Sequence, residues 1–192
     1  LAARMPEVNV DGLENMPQMA QMAMLNVEAN GFGDRVKIIE GDVAHPPDGF
    51  QEASYDHVMA NPPYRVAGSG NNPKDHVKAA AMVEGAAGLD AWVTLSWNIL
   101  RRKGTLTLVH RADRLGDILG SLSGRFGGVV IFPLWPGSGD HHSSRRVIVR
   151  ATKGVNTPLS LTQGLLLHGD TGAYTSKAEA ILRGGKALNL GA

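Results

Sequence analysis

Apolar and polar positions follow two alternating rhythms along this chain. Short apolar runs bounded by turn residues alternate with stretches in which apolar residues recur at helical spacing. Val8 to Glu14 reads as a strand, and Pro17 to Asn30 as a helix ending at Gly31. Val36 to Glu40 follows the Gly33-Asp34 turn as a second strand, and Tyr55 to Ala60 is a third, buried one. Val66 to Asp75, with Gly68, Gly70 and Asn71-Asn72-Pro73, reads as a polar loop. His76 to Ala87 and Asp90 to Arg102 are predicted helical, broken near Gly85 and Gly88, with Leu89, Trp92, Leu95 and Ile99 as the buried stripe of the second piece. Gly104 precedes an alternating strand, Thr105 to Val109. A short helix from Asp113 and strands around Gly128 to Phe132 and Arg146 to Thr152 follow. Beyond Asn156 the pattern thins to a strand-like Gly164 to His168 and a short helix from Ser176. Strands alternating with helices predict an α/β fold, a parallel sheet with crossover helices. No repeat and no linker divides it, so residues 1–192 are expected to form one domain.

Composition narrows the chemistry. With 43% hydrophobic residues and 24 glycines the chain can bury a core and turn often. A net charge of +1 means that affinity for a nucleic acid must come from local patches. Cysteine is absent, which removes disulfides, thiolate catalysis and thiolate metal sites. No apolar stretch has the length of a membrane span, and a cytoplasmic location without a membrane partner is expected. Asp140, His141-His142 and Ser143-Ser144 are neighbours in sequence, whereas triads are recognised by geometry; the histidine pair lacks the spacing of a zinc site. Pro136 to Ser144 therefore reads as an exposed loop, and no metal is expected.

The most informative segment is Asn61-Pro62-Pro63-Tyr64, directly after the Tyr55 strand. Open parallel sheets hold their ligands outside the carboxyl ends of their strands. Each proline fixes its own φ and removes an amide donor, and the residue before a proline is pushed away from helical geometry. The Asn61 amide and Pro62 carbonyl are thus two oxygen acceptors that no helix consumes. Such a pair can take both hydrogens of an exocyclic NH2 group. An aromatic amine is a poor nucleophile while its lone pair is spread into the ring. Hydrogen bonds that bend the nitrogen toward tetrahedral geometry localise that pair, most strongly in the transition state. Tyr64 offers a face on which a flipped-out base can stack, worth about 1–3 kcal/mol. A bare Asn-Pro would be a turn opener; the apolar strand before it and Pro63-Tyr64 after it favour the site.

This tetrapeptide is the hallmark of S-adenosylmethionine-dependent methyltransferases that act on a planar amide or amine nitrogen. The chain resembles the bacterial tRNA (adenine-N6)-methyltransferase family from Val8-Asn9-Val10-Asp11-Gly12-Leu13-Glu14 to Leu167-His168-Gly169. Val147-Ile148-Val149-Arg150-Ala151-Thr152-Lys153-Gly154 and Gly172-Ala173-Tyr174-Thr175 add to the likeness. The resemblance implies a Rossmann-like methyltransferase fold, a central, mostly parallel sheet with helices on both faces. It implies S-adenosylmethionine as cofactor and an adenine N6 in RNA, most directly tRNA, as the methyl acceptor. Asn61, Pro62, Pro63 and Tyr64 would be the catalytic segment, with Asn61 also touching the cofactor. Glu14, at the end of the first visible strand, would accept from the ribose hydroxyls, as the acid of dinucleotide folds does; the competing reading is an acid favouring the start of the Pro17 helix. Asn15 reads as a cap of that helix and secondarily as a cofactor contact. The resemblance places Asp42 against the adenine amino group of the cofactor and Val43 along its ring, against the plainer reading of an Asp in a turn after Gly41. Folds of this family begin with a strand and a glycine-rich turn, and no Gly-x-Gly signal precedes Val8. That strand belongs between the Val8 and Tyr55 strands, where a gap would leave ladder groups unpaired. A longer protein with a leading segment is therefore expected.

Arg65, Lys74 and Lys78 flank the tetrapeptide, and Arg111 follows the Thr105 strand. Phosphate contacts from these residues would position an RNA without reading its sequence. Arg101-Arg102-Lys103 would instead complement a helix carboxyl end. Two other readings compete. Protein-glutamine methyltransferases use the same four residues on a side-chain amide. A non-catalytic RNA-binding module could retain the fold, although simple binding requires no rigid acceptor pair. DNA adenine methyltransferases usually add a large target-recognition region, for which 192 residues leave little room.

Overall fold

The computed structural model describes residues 1–48, 50, 54–63, 88–137 and 143–191. Tyr64, Arg65, Lys74, Lys78, the predicted polar loop and the predicted His76 to Ala87 helix lie outside the described residues, as do Asp140 and His141-His142. The chain divides into two compact units, Leu1–Phe50 and Gln51–Ala192.

In the first unit, β1 (Val10–Glu14) pairs in parallel with β2 (Val36–Glu40), from Val10 opposite Val36 to Glu14 opposite Glu40. Helix α1 (Pro17–Ala29) makes the crossover. It starts with proline in its first turn, where the missing N–H costs nothing. It stops at Gly31, whose φ of 68° is the left-handed geometry that glycine adopts without a Cβ penalty. The N-cap is Met16, without a side-chain cap bond, so Asn15 is not the cap expected of it. The Arg35 guanidinium holds the leading segment by donating to the carbonyls of Ala2, Met5 and Val8.

In the second unit, β3 (Tyr55–Ala60), β4 (Leu100–Arg111), β5 (Phe126–Trp135) and β6 (Arg146–Lys153) form a sheet in the order β3-β4-β6-β5. Two short strands, β7 (Ser160–Leu161) and β8 (Leu165–Leu166), add to the free edge of β5. The sheet is mixed: β3 and β4 are parallel, while β6 runs antiparallel to both its neighbours. Strands β5 and β6 are apolar on both faces. Ile131, Val147 and Val149 pack with α2 (Leu89–Ile99) and α3 (Leu115–Leu122) through Val93, Ile118 and Leu122. Val130, Phe132 and Ile148 point the other way, with Ala178 of α4 (Ser176–Leu182) and Leu165. Helices thus cover both faces, as continuous apolar strands require.

Two expectations are corrected in this unit. The helix predicted to Arg102 ends at Ile99, and Leu100 is already extended and paired opposite Tyr55. Arg101 instead bridges Asp56 at 2.6 Å, and Lys103 takes a φ of 64° where the chain bends tightly at Gly104. The cation at the carboxyl end of α2 is Lys153, whose Nζ donates to the carbonyls of Trp97 and Leu100. The buried stripe is Leu89, Val93, Ser96 and Ile99, with Trp92 and Leu95 only half-buried. Ser96 is accommodated because its hydroxyl donates to the Trp92 carbonyl at 2.7 Å.

Candidate active site

The first unit places two carboxylates at the carboxyl end of its parallel pair. Glu14 closes β1, half-buried, and its Oε1 accepts from the Met16 N–H at 2.9 Å, which fixes the carboxylate and leaves Oε2 for a ligand. Asn15 beside it is exposed. One residue beyond β2, the Gly41 N–H donates to the Glu14 carbonyl at 2.9 Å and ties the two strand ends together. Gly41 is needed for space: a Cβ there would lie 2.6 Å from Pro47 Cδ and 3.1 Å from Leu13 Cδ1. Asp42 follows, with Oδ1 accepting from the Ala44 N–H at 3.0 Å and Oδ2 3.8 Å from His45 Nδ1. Val43 is half-buried in the same turn. Glu14, Asn15, Asp42 and Val43 therefore share the carboxyl end of one strand pair, as the sequence pattern implies.

In the second unit the sheet presents Asn61. Ala60, the last residue of β3, pairs with Leu108, and its side chain packs on the core. Asn61 is exposed, Pro62 is fully buried and Pro63 is half-buried. The buried proline anchors the segment directly after the exposed Asn61. On the neighbouring strand β4 ends at Arg111, whose Nε donates to Asp113 Oδ1 at 2.9 Å while its second nitrogen reaches Oδ2. This bidentate contact lowers the Asp113 carboxyl from its ordinary value and raises Arg111 in turn. Arg111, expected to face RNA, is thus at the same strand end as Asn61 but already holds an acid. Among the described residues no group of three or more His, Asp or Glu side chains could hold a metal ion.

A family model described as N-6 DNA Methylase matches residues 2–116, which include every strand end just described. The chain belongs to the N-6 DNA methylase family. That description agrees with the methylase class that its Asn61-Pro62-Pro63-Tyr64 segment implies. This N-6 methylase chain is 30% identical over 123 residues to a protein of Porphyromonas gingivalis (strain ATCC BAA-308 / W83) named tRNA1(Val) (adenine(37)-N6)-methyltransferase, covering 62% of this chain and 46% of that protein. A protein of the same name from Yersinia pestis (strain Pestoides F) is 27% identical over 126 residues, 66% of this chain and 49% of that one. The chain spans about half the length of the curated relatives it matches. Among solved structures, a predicted O-methyltransferase from Agrobacterium tumefaciens, protein Atu636, superposes with a TM-score of 0.78 at 23% identity, over 97% of this chain and 83% of that one. A tRNA (m1A58) methyltransferase from Aquifex aeolicus gives 0.53 at 11% identity, over 77% of this chain and 54% of that one. Those likenesses show the Rossmann-like α/β fold.

Proposed function

We propose that the protein transfers a methyl group from S-adenosylmethionine to the N6 amino group of an adenine in RNA, with a tRNA as the substrate. The observation that carries this reading is the exposed Asn61 amide, held by a buried proline at the carboxyl end of β3 in an N-6 methylase chain. The names of the relatives support RNA, and tRNA in particular, over other adenines.

The residues present fit the cofactor. Glu14 offers an oriented carboxylate to a pair of ribose hydroxyls, and Asp42 an acceptor to an adenine amine, with Val43 as apolar cover. When bound, S-adenosylmethionine supplies an electrophilic methyl on a sulfonium centre. Asn61, through its side-chain carbonyl, and Pro62, through its backbone carbonyl, accept the two hydrogens of the target amine. They localise the nitrogen lone pair and would turn it toward the methyl group that the bound cofactor supplies. The amine then gives its surplus proton to water, so no general base has to start the reaction. Pro63 stiffens the turn, and Tyr64 stacks the target base. Arg65, Lys74, Lys78 and Arg111 hold phosphates around it.

The description of the matching family favours one second reading, an adenine in DNA. Labelled methyl transfer to unmodified total tRNA, duplex DNA and cell protein, offered in parallel, separates these substrates. The proposal expects label in N6-methyladenosine of tRNA. Label in DNA adenine selects the second reading, and label in protein glutamine overturns both.

A further inference from the structure

The carboxyl rim of the Gln51–Ala192 unit carries a second set of groups beyond Asn61, and the strand registers order them. Asn61 follows Ala60, the partner of Leu108 on β4; three residues on, β4 ends at Arg111. Directly opposite Arg111, on β6, is Arg146. Opposite Arg146, on β5, is Leu134, and opposite Leu134 is Leu165 of β8. At about 4.8 Å between neighbouring strands the rim from β3 to β8 spans about 19 Å.

Its electrostatics are unusual for a chain of net charge +1. Arg111 and Arg146, directly opposite on paired strands, bring two guanidinium groups to one strand end. Asp113 engages Arg111. The next residue, Ala112, donates its N–H to the Arg145 carbonyl at 3.0 Å, which brings a third exposed arginine to the same corner. Among the described residues no acidic side chain pairs with Arg145.

At the far end of the rim the chain leaves β8 into a closed hairpin. The Leu167 N–H donates to the Trp135 carbonyl, the Gly169 N–H to Ala173 and the Thr175 N–H to Leu167, at 2.8, 2.9 and 2.8 Å. Within it the rings of His168 and Tyr174 stack, 4.5 Å between centroids and 23° between planes. His168 Nδ1 lies 3.0 Å from the Gly172 carbonyl, so the lower ring is itself held. Tyr174 remains 42% exposed while Leu165 and Ala178 nearby are buried. A latch that only closed the hairpin would not need a supported ring that stays exposed.

We infer that this rim is a track for single-stranded RNA: Arg111, Arg145 and Arg146 hold its phosphates, and Tyr174 stacks a base that is not the one methylated. The inference rests on the reading of the substrate as RNA. Cations following a backbone beside an aromatic platform are the general means of holding an unpaired strand.

The test is anisotropy binding of a labelled RNA stem-loop that the wild-type protein methylates, intact and with an abasic site on either side of the target adenine. Tyr174→Ala is expected to weaken binding of the intact RNA about 5- to 100-fold. It should have no effect on one of the two abasic RNAs, while Tyr174→Trp binds as wild type. Arg145→Ala with Arg146→Ala should lower the slope of log affinity against log salt by about two, equally for all RNA sequences. Cofactor affinity should stay unchanged in each variant. Wild-type affinity in Tyr174→Ala, or equal losses on all three RNAs, overturns the aromatic half. An unchanged salt slope overturns the cationic half, and decides the matter should Tyr174→Ala unfold the tail. If the wild-type protein methylates no RNA, the proposed function fails first and this inference with it.

Discussion

Pro62 and Arg111 show how single residues at this rim divide structural and chemical work. The Pro62 ring is buried, so the chain is anchored one residue after the exposed Asn61. Arg111 is held by Asp113, and the pair makes a prediction about pH. Arg111 keeps the Asp113 carboxyl below its ordinary range. A lowered carboxyl contributes stability that is complete above about pH 4, its ordinary value, and lost as pH falls through the lower folded value. Arg111 is raised, so its side of the pair is lost only in strong alkali. Both side chains are about half exposed, which limits the pair to about 0–1 kcal/mol. Asp113→Asn should therefore lower the Tm by a degree or a few at pH 7. The difference from wild type should close as melts are repeated at pH values falling below the ordinary carboxylate range. A gap that widened in acid would show that Asp113 acts through something other than Arg111.

At the scale of elements, the Gly41 turn is a tight point beside Glu14 and Asp42. A methyl group there meets the rigid Pro47 ring, so Gly41→Ala must displace the Asp42 turn or the end of β1. The expected cost is about 1–3 kcal/mol in urea unfolding, with a weaker affinity for S-adenosylmethionine in calorimetry. Unchanged affinity would remove Asp42 and Val43 from the cofactor site. The same scale shows what the sequence disclosed. Strands β2 and β3 match their predicted limits residue for residue, because turn residues bracket both. Strand β4 starts well before its predicted Thr105, because Arg101-Arg102-Lys103 reads as a helix end. Only the long-range pairing of Leu100 with Tyr55 and the reach of Lys153 across the fold decide otherwise. Glu14, Asp42 and Asn61 stand out in the sequence as candidate site residues because each lies at or just past the end of a predicted strand. Arg145, Arg146, His168 and Tyr174 carried no such signal: their placement along one sheet rim depends on β6 running antiparallel to β4 and on β8 joining β5, which no local pattern encodes.

For the molecule as a whole, cofactor binding is proposed for residues of the Leu1–Phe50 unit, and amine binding for Asn61 of the Gln51–Ala192 unit. Among the described residues no helix is long and apolar enough to cross a membrane. Cofactor binding should register in the stability of the protein. S-adenosylmethionine at 100 times its dissociation constant is expected to add about 2.7 kcal/mol to unfolding, read as an upward shift in Tm. Glu14→Gln should cut that shift at the same cofactor concentration. No shift in the wild-type protein would favour a module that binds without catalysis.

In the proposed reaction the Asn61 amide orients the amine that receives the methyl group. The most direct measurement is single-turnover transfer of labelled methyl to an adenine-containing RNA, by wild-type protein and Asn61→Ala, with both ligands saturating. The account predicts a loss of about 10²–10³-fold in the rate of transfer, as when one preorganised transition-state hydrogen bond is removed. The dissociation constant for S-adenosylmethionine should change far less. Transfer at the wild-type rate, or a fall matched by an equal loss of cofactor affinity, would contradict it.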